Sequence, residues 1–187
     1  MTRQNKPPVR VVDYDPAWPE TFAGLRSRIW PALRSVALAI EHVGSTAVPG
    51  LAAKPIIDID VIVASAAPVA PAIERLAPLG YVHRGNLGIA EREAFASPAG
   101  FAAHHLYVCV QGSLAVANHL TIRDYLRRHP QAALTYGRLK QQLAQQLAGD
   151  RDGYNNGKTD FVLAVLRDAG WPEEALTTIE AANRMNP

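Results

Sequence analysis

The sequence predicts an α+β fold: a mixed β-sheet core with flanking helices, followed by a helical C-terminal part. Three observations predict it. Short runs rich in β-branched residues alternate with helical stretches as far as Val110, and from Leu114 onward the pattern is helical alone. The run Ile56-Ile57-Asp58-Ile59-Asp60-Val61-Ile62-Val63 has the two-residue alternation of a strand. No internal repeat and no long linker divides the 187 residues, so a single domain over 1–187 is expected, with a flexible lead over 1–8 and a helical part over about 113–170. A chain of this length buries roughly 70% of its unfolded surface and needs no disulfide or metal to hold a core.

The elements follow in order. The polar lead ends in Pro7-Pro8, and Val9–Tyr14 is a short strand candidate. Asp15-Pro16 supplies an N-cap and a proline for the first helical position, so a helix opens there and runs to about Val36, disturbed at Pro31. Ala39–Val43 is a strand broken by Gly44-Ser45-Thr46. Pro49-Gly50 turns the chain, and Lys54-Pro55 enters the strand Ile56–Val63. Residues 66–79 read as a short helix stopped by Gly80. Tyr81–Arg84, Glu91–Ala96 and Ala103–Val110 are further strand candidates between Gly-, Asn- and Pro-containing turns. The helical remainder to Gly170 breaks near Pro130 and near Gly149–Gly153. Within it, Gln131–Ala148 places Leu134, Leu139, Leu143 and Leu147 close to a helical stripe. Trp171–Pro187 ends the chain as a short helix and a loose tail.

Composition narrows the function classes. The chain is 48% apolar and 19% charged, as in soluble globular proteins. Nineteen basic residues against seventeen acidic ones give a net charge of +2, which points to neither a nucleic-acid binder nor a membrane-surface protein. Cys109 is the sole cysteine, which excludes an internal disulfide and a Cys-based zinc site. Met1–Arg10 lacks the apolar run of a signal peptide, and Lys54, Asp58 and Asp60 interrupt the most apolar region, so a cytoplasmic address is expected.

The Asp-x-Asp strand is the most informative segment. Alternate strand residues share a face, so Asp58 and Asp60 point the same way, roughly 6–7 Å apart along the chain. Two carboxylates in so apolar a strand are costly unless something positive lies between them. Oxygen ligands suit Mg²⁺ or Mn²⁺; the alternative is a strand end facing water. Upstream, Gly44 and Ser45 let backbone N–H groups approach a phosphate, Ser45 and Thr46 add hydroxyls, and Lys54 adds a point charge. The same segment also reads as a purely structural turn. It is not a P-loop, because Leu51 rather than lysine follows Gly50.

His42 and His105 would flank the carboxylates if their strands pair, His42 as a metal ligand and His105 as a general base. Each also reads as a hydrogen-bonded structural histidine, and no His-Glu-x-x-His spacing is present. Arg123 and Arg127 share a helix face that can grip a phosphate-bearing substrate or pair at the surface with Asp124. Lys140 and Lys158 are further basic residues on later helices, and Tyr154–Lys158 reads as a capping loop from which Lys158 reaches back to phosphate.

The run Glu41-His-Val-Gly-Ser-Thr-Ala-Val-Pro-Gly-Leu-Ala-Ala-Lys-Pro-Ile-Ile-Asp-Ile-Asp resembles the signature of the GrpB-like family. Arg123-Asp-Tyr-Leu-Arg-Arg-His-Pro, followed by Tyr136 and Leu139-Lys140, matches the same family, and the resemblance extends from about Val9 to Ala169. It implies a nucleotidyltransferase-like fold in which a Gly-Ser turn holds a nucleotide triphosphate and an Asp-x-Asp strand holds the metal. It also implies roles for Gly44, Ser45, Asp58 and Asp60 in that binding; similar domains occur fused to dephospho-CoA kinase. The departure is a third carboxylate, which active nucleotidyltransferases carry on a neighbouring strand. The strand Ala103–Val108 offers His105 and Tyr107 instead, where the family pattern commonly has histidine at the latter position. Glu91 and Glu93 are the remaining candidates for the missing acid.

The leading expectation is therefore a metal-dependent nucleotidyltransferase. A nucleotide triphosphate would bind at Gly44–Thr46 and Lys54, Mg²⁺ or Mn²⁺ at Asp58 and Asp60, and a nucleoside monophosphate would pass to an unnamed small-molecule acceptor. Nucleic-acid and membrane partners are not expected. Two alternatives stand beside it: a non-catalytic nucleotide- or CoA-related binding module, and a His/Asp metallohydrolase.

Overall fold

The computed structural model describes residues 8–185; all of the expected lead but Pro8, and the last two residues of the expected tail, lie outside them. Helix α1 spans Trp18–Leu33, α2 Val69–Leu76, α3 Leu114–Arg128, α4 Pro130–Gln146, α5 Arg151–Asn156, α6 Thr159–Asp168 and α7 Glu173–Met185. Strands β1 (Ala37–Val43), β2 (Ile57–Val63), β3 (Val82–His83), β4 (Arg92–Ala96) and β5 (His104–Val110) form one sheet in the order β1-β2-β5-β4-β3. Only the central pair, β2 and β5, is parallel. The result is the mixed α+β architecture that the alternation of elements predicts.

Local chemistry explains the boundaries. Asp15 Oδ1 accepts the Ala17 N–H at 2.8 Å ahead of α1, and Pro19 sits in its first turn, where a missing N–H costs nothing. Pro31 falls near the helix end and does not break it. Gly80 closes the turn after α2 with φ at +87°, a left-handed conformation that favours glycine. His129, before Pro130, leaves the helical region and separates α3 from α4.

The two faces of β2 divide the molecule. Ile57, Ile59, Val61 and Val63 join Leu106, Val108 and Val110 under Leu25, Ile29 and Leu33 of α1 and Ala72 and Leu76 of α2. This is the main apolar core. On the opposite face Ile62 and Cys109 pack on Val116 of α3, while Asp58 and Asp60 lie nearer the start of the strand. The sheet thus buries one face in hydrocarbon and turns its acidic face toward the C-terminal helices.

Two expectations need correction. In Val9–Tyr14 only Val12 pairs, through a two-way bridge to Ala53 with both N···O distances at 2.9 Å. Leu134 does not belong to the buried stripe of α4, being 46% exposed; that helix buries Ala133, Tyr136, Gly137 and Lys140. The helix expected after Trp171 is α7, whose Leu176 and Ile179 pack on Leu163 and Leu166 of α6. No helix among the described residues is long and apolar enough to cross a membrane.

Candidate functional site

The site begins where β1 turns into β2. Gly44 has φ at +69°, and a Cβ there would collide with the Asp58 carboxylate. Glycine is required both by the backbone conformation and by this close approach. The turn continues as a 3₁₀ segment, Ser45–Ala47, that sets the Gly-Ser backbone against the acidic strand. Two arginines of α3 brace it: Arg123 Nη1 donates to the His42 carbonyl at 3.0 Å, and Arg127 Nε donates to the Ala47 carbonyl at 2.9 Å.

The aspartates differ. Asp58 is partly exposed and its Oδ1 lies 2.9 Å from His105 Nδ1. The Asp60 side chain is fully buried; its Oδ2 meets His119 Nδ1 at 2.7 Å, and its Oδ1 has no hydrogen-bond partner. Burial works against a charge on His119, but the Asp60 charge, the hydrogen bond to it and the Asp58 charge outweigh burial and raise its pKa. His119 stands one helical turn before Arg123 on α3, and that i, i+4 relation to a motif residue is the one signal in the sequence that points to it.

His42 is not where the sequence suggests. It pairs across the sheet with Ile59 and so takes the core-side face, stacked on Phe22 at 4.7 Å with Nε2 3.0 Å from Thr46 Oγ1. The strand pairing is as expected, but alternation puts His42 opposite to the carboxylates. Burial above all lowers its pKa to about 4, against a partial rise from Asp58 and with Arg127 and Arg123 adding to the fall. Thr46 is buried and engaged with His42.

The lysines do converge. Lys140, 3% exposed, donates to Ser45 Oγ at 2.7 Å and lies 4.5 Å from the Tyr136 ring centroid. Lys54 and Lys158 lie 4.9 and 4.7 Å from the centroid of the buried Tyr154 ring. Burial, then Lys158, then Lys54 depress Lys140, with Asp58 opposing; burial and Lys54 bring Lys158 to about 8, again with Asp58 opposing. None of the three pairs with a described carboxylate within 4 Å. One buried and two half-buried lysines thus gather near Asp58, an arrangement whose charge suits a multiply charged anion.

Arg123 does not point free into this space. Its Nη1 donates to Glu41 at 2.7 Å and its Nε to Asp124 at 2.7 Å, tying α3 to β1. Glu41 sits opposite Asp60 on the acidic face, so it is a neighbouring-strand carboxylate whose charge Arg123 already balances. On β5, His105 aligns with Asp58 and Tyr107 with Asp60. Glu93 cannot supply the missing acid, because it pairs with Val108 on the core-side face and bonds His83 at 2.6 Å. The β4 residue that does face the site is Arg92, 6% exposed, with its guanidinium over Tyr107 at 4.5 Å. The sequence carries no local signal for Arg92. A cleft of about 400 Å³ runs past Arg92, Tyr107, His119, Tyr136 and Lys158.

This arrangement defines a nucleotidyltransferase-like fold, and the likeness extends to the Cid1 poly(U) polymerase bound to MgATP: TM-score 0.50, 18% identity, covering 70% of this chain and 45% of that one. At that identity the likeness concerns the fold. The chain belongs to the GrpB family, whose model, described as GrpB protein, matches residues 8–168. It is similar to UPF0157 protein YqkA of Bacillus subtilis, 37% identical over 161 residues, covering 86% of this chain and 47% of that protein. It is 39% identical over 163 residues to UPF0157 protein PA4798 of Pseudomonas aeruginosa, covering 84% and 66%. The chain thus spans about half to two thirds of those relatives' lengths. It also resembles 44% of a protein named dephospho-CoA kinase in Mycolicibacterium paratuberculosis, at 30% identity and 82% of this chain. The crystal structure of GrpB from Enterococcus faecalis superposes with a TM-score of 0.76 at 35% identity, covering 90% of this chain and 98% of that one.

Proposed function

We propose that this chain binds a nucleotide triphosphate with a divalent cation and transfers a nucleoside monophosphate to a small-molecule hydroxyl. The observation that carries the reading is the convergence of three lysines without carboxylate partners, the buried Lys140 on Ser45 and the half-buried Lys54 and Lys158 on Tyr154, all within reach of the Asp58 charge. Lys140, Lys158 and Lys54 neutralise the β- and γ-phosphates, and the Gly44–Ser45 backbone approaches them closely.

The residues fit a hard cation. Asp60 Oδ1 is a buried oxygen with no partner, and the Asp58 carboxylate lies against Gly44 beside the phosphate turn. Mg²⁺ is commonly held by one or two carboxylates together with phosphate oxygens and waters. Bound at Asp58 and Asp60, it would neutralise charge on the phosphate and polarise the reacting phosphorus. Among the described residues no three His, Cys, Asp or Glu side chains form a cage of their own, which weighs against the His/Asp metallohydrolase reading.

His105 is oriented for proton transfer. With Nδ1–H donated to Asp58, Nε2 is left as the base, and the residue is exposed enough to meet an acceptor. The acceptor oxygen attacks the α-phosphorus, its proton passes to Nε2, and the bond to the β-phosphate breaks to release pyrophosphate toward the lysines. The binding-module reading keeps the same ligand without this step, and Tyr107 in place of a carboxylate beside Asp60 favours it.

The test is thermal melting with ATP, GTP, CTP, UTP and CoA, with and without Mg²⁺. A ligand at about 100 times its dissociation constant adds about 2.7 kcal/mol to the folded state. The reading expects a Mg²⁺-dependent shift with at least one triphosphate that disappears in a folded Asp58→Asn, Asp60→Asn variant. An unchanged shift in that variant contradicts it. Pyrophosphate release with any hydroxyl acceptor separates the enzyme from the binding module.

A further inference from the structure

We propose that a second cavity, adjoining the cleft beneath α7, receives the acceptor, and that Arg92 there holds the carboxylate of a mainly apolar small molecule. The assignment as acceptor site rests on the nucleotidyl-transfer reading; the ligand chemistry stands on the residues themselves. The cavity has a volume of about 590 Å³ and lies between the 87–91 loop, the first turns of α3 and one side of α7. Leu87, Ile89, Leu114, Ala115 and Ile179 give it largely apolar walls. Arg92 and His119 line both this cavity and the 400 Å³ cleft, so a molecule seated here ends against the histidine that Asp60 holds. The two spaces adjoin at Arg92 and His119, and the cleft continues from there to Lys158.

Arg92 is the group that the nucleotide site leaves unused. It is 94% buried, as its 6% exposure requires, yet it pairs with no described carboxylate, and its Nε has no hydrogen-bond partner. A buried lysine can shed its charge, but a guanidinium cannot. The face of the fork rests on Tyr107 at 4.5 Å, a geometry that leaves the N–H edge for a planar two-oxygen anion. Asn118 Oδ1, also buried without a partner on this cavity's wall, is matched by a hydroxyl or amine donor on the same ligand. A carboxylate fits better than a phosphate here. The lysines that suit phosphate gather around Tyr154 and Ser45, and none of them lines this cavity.

The test uses the whole chain without nucleotide or metal, titrated calorimetrically with octanoate and 3-phenylpropanoate and with their amides. The carboxylates are expected to bind at least about tenfold more tightly than the amides, as a charge-assisted pair requires. Arg92→Gln should erase that preference, and Arg92→Lys, which keeps the charge and loses the fork, should restore part of it. Ala181→Phe, on the exposed edge of this cavity alone, should weaken octanoate and leave pyrophosphate binding unchanged. Equal affinity for acid and amide, or a preference that survives Arg92→Gln, overturns the proposal. Displacement of octanoate by pyrophosphate overturns it too, by assigning Arg92 to the phosphates. A separate MgATP titration keeps the two readings apart. Octanoate bound with no MgATP binding sinks nucleotidyl transfer and the acceptor assignment but leaves the Arg92 carboxylate site standing. MgATP bound with no octanoate binding sinks the carboxylate site alone.

Discussion

At Asp60 the two carboxylate oxygens have different surroundings. Oδ2 meets His119 and Oδ1 accepts no hydrogen bond, in a side chain with no exposure at all. A carboxylate buried in this way needs positive charge nearby, and the sequence supports that inference from the Ile-Asp-Ile-Asp alternation alone. It does not reveal the source of the charge, because His119 lies 59 residues further on and reaches Asp60 only through the packing of α3 on the sheet. His42 shows the opposite failure. Its strand and register neighbours are legible, but one step of alternation puts it behind the sheet, where burial governs it. Unfolded, His42 takes up a proton near pH 6.5; folded, it does so only near 4. The unfolded chain binds more protons across that window, so stability falls as the pH drops from 6.5 to 4, by on the order of 3 kcal/mol in all. Urea melts at pH 7 and pH 4.5 should show that loss in the wild type and a smaller one in His42→Gln.

Among the elements, α3 does the most positioning. One face of it delivers His119 to Asp60, Arg123 to Glu41 and the His42 carbonyl, and Arg127 to the Ala47 carbonyl. The arginine pair reads in the sequence as a phosphate grip because spacing shows a shared face and not what the face meets. In the fold these side chains clamp both ends of the Gly-Ser turn, so their influence on a ligand passes through the turn. Arg123 is 12% exposed at its side chain and Glu41 35%, an intermediate case between surface and buried ion pairs. Arg123→Met is therefore expected to cost about 1–3 kcal/mol of stability. It should also weaken MgATP binding with no change in the Mg²⁺ dependence of the residual binding. A variant of wild-type stability, read by urea melting, would contradict the clamp.

Over the whole molecule, the strands and their order of appearance are legible because each is a local pattern between turn residues. The convergence of Lys54, Lys140 and Lys158 is not, since they come from the loop before β2, from α4 and from the start of α6. Each is a candidate cation in the sequence, but only the fold shows Tyr154, Tyr136 and Ser45 gathering them near Asp58. Such a cluster costs the folded state stability, and proteins retain costs of this kind where binding recovers them. Thermal melting of Lys140→Met beside the wild type, each with and without MgATP, tests this most directly. Lys140→Met is expected to melt as high as the wild type or higher in the absence of ligand and to lose most of the MgATP shift. A variant that melts lower and keeps the full shift would show that Lys140 serves the fold and not the phosphates.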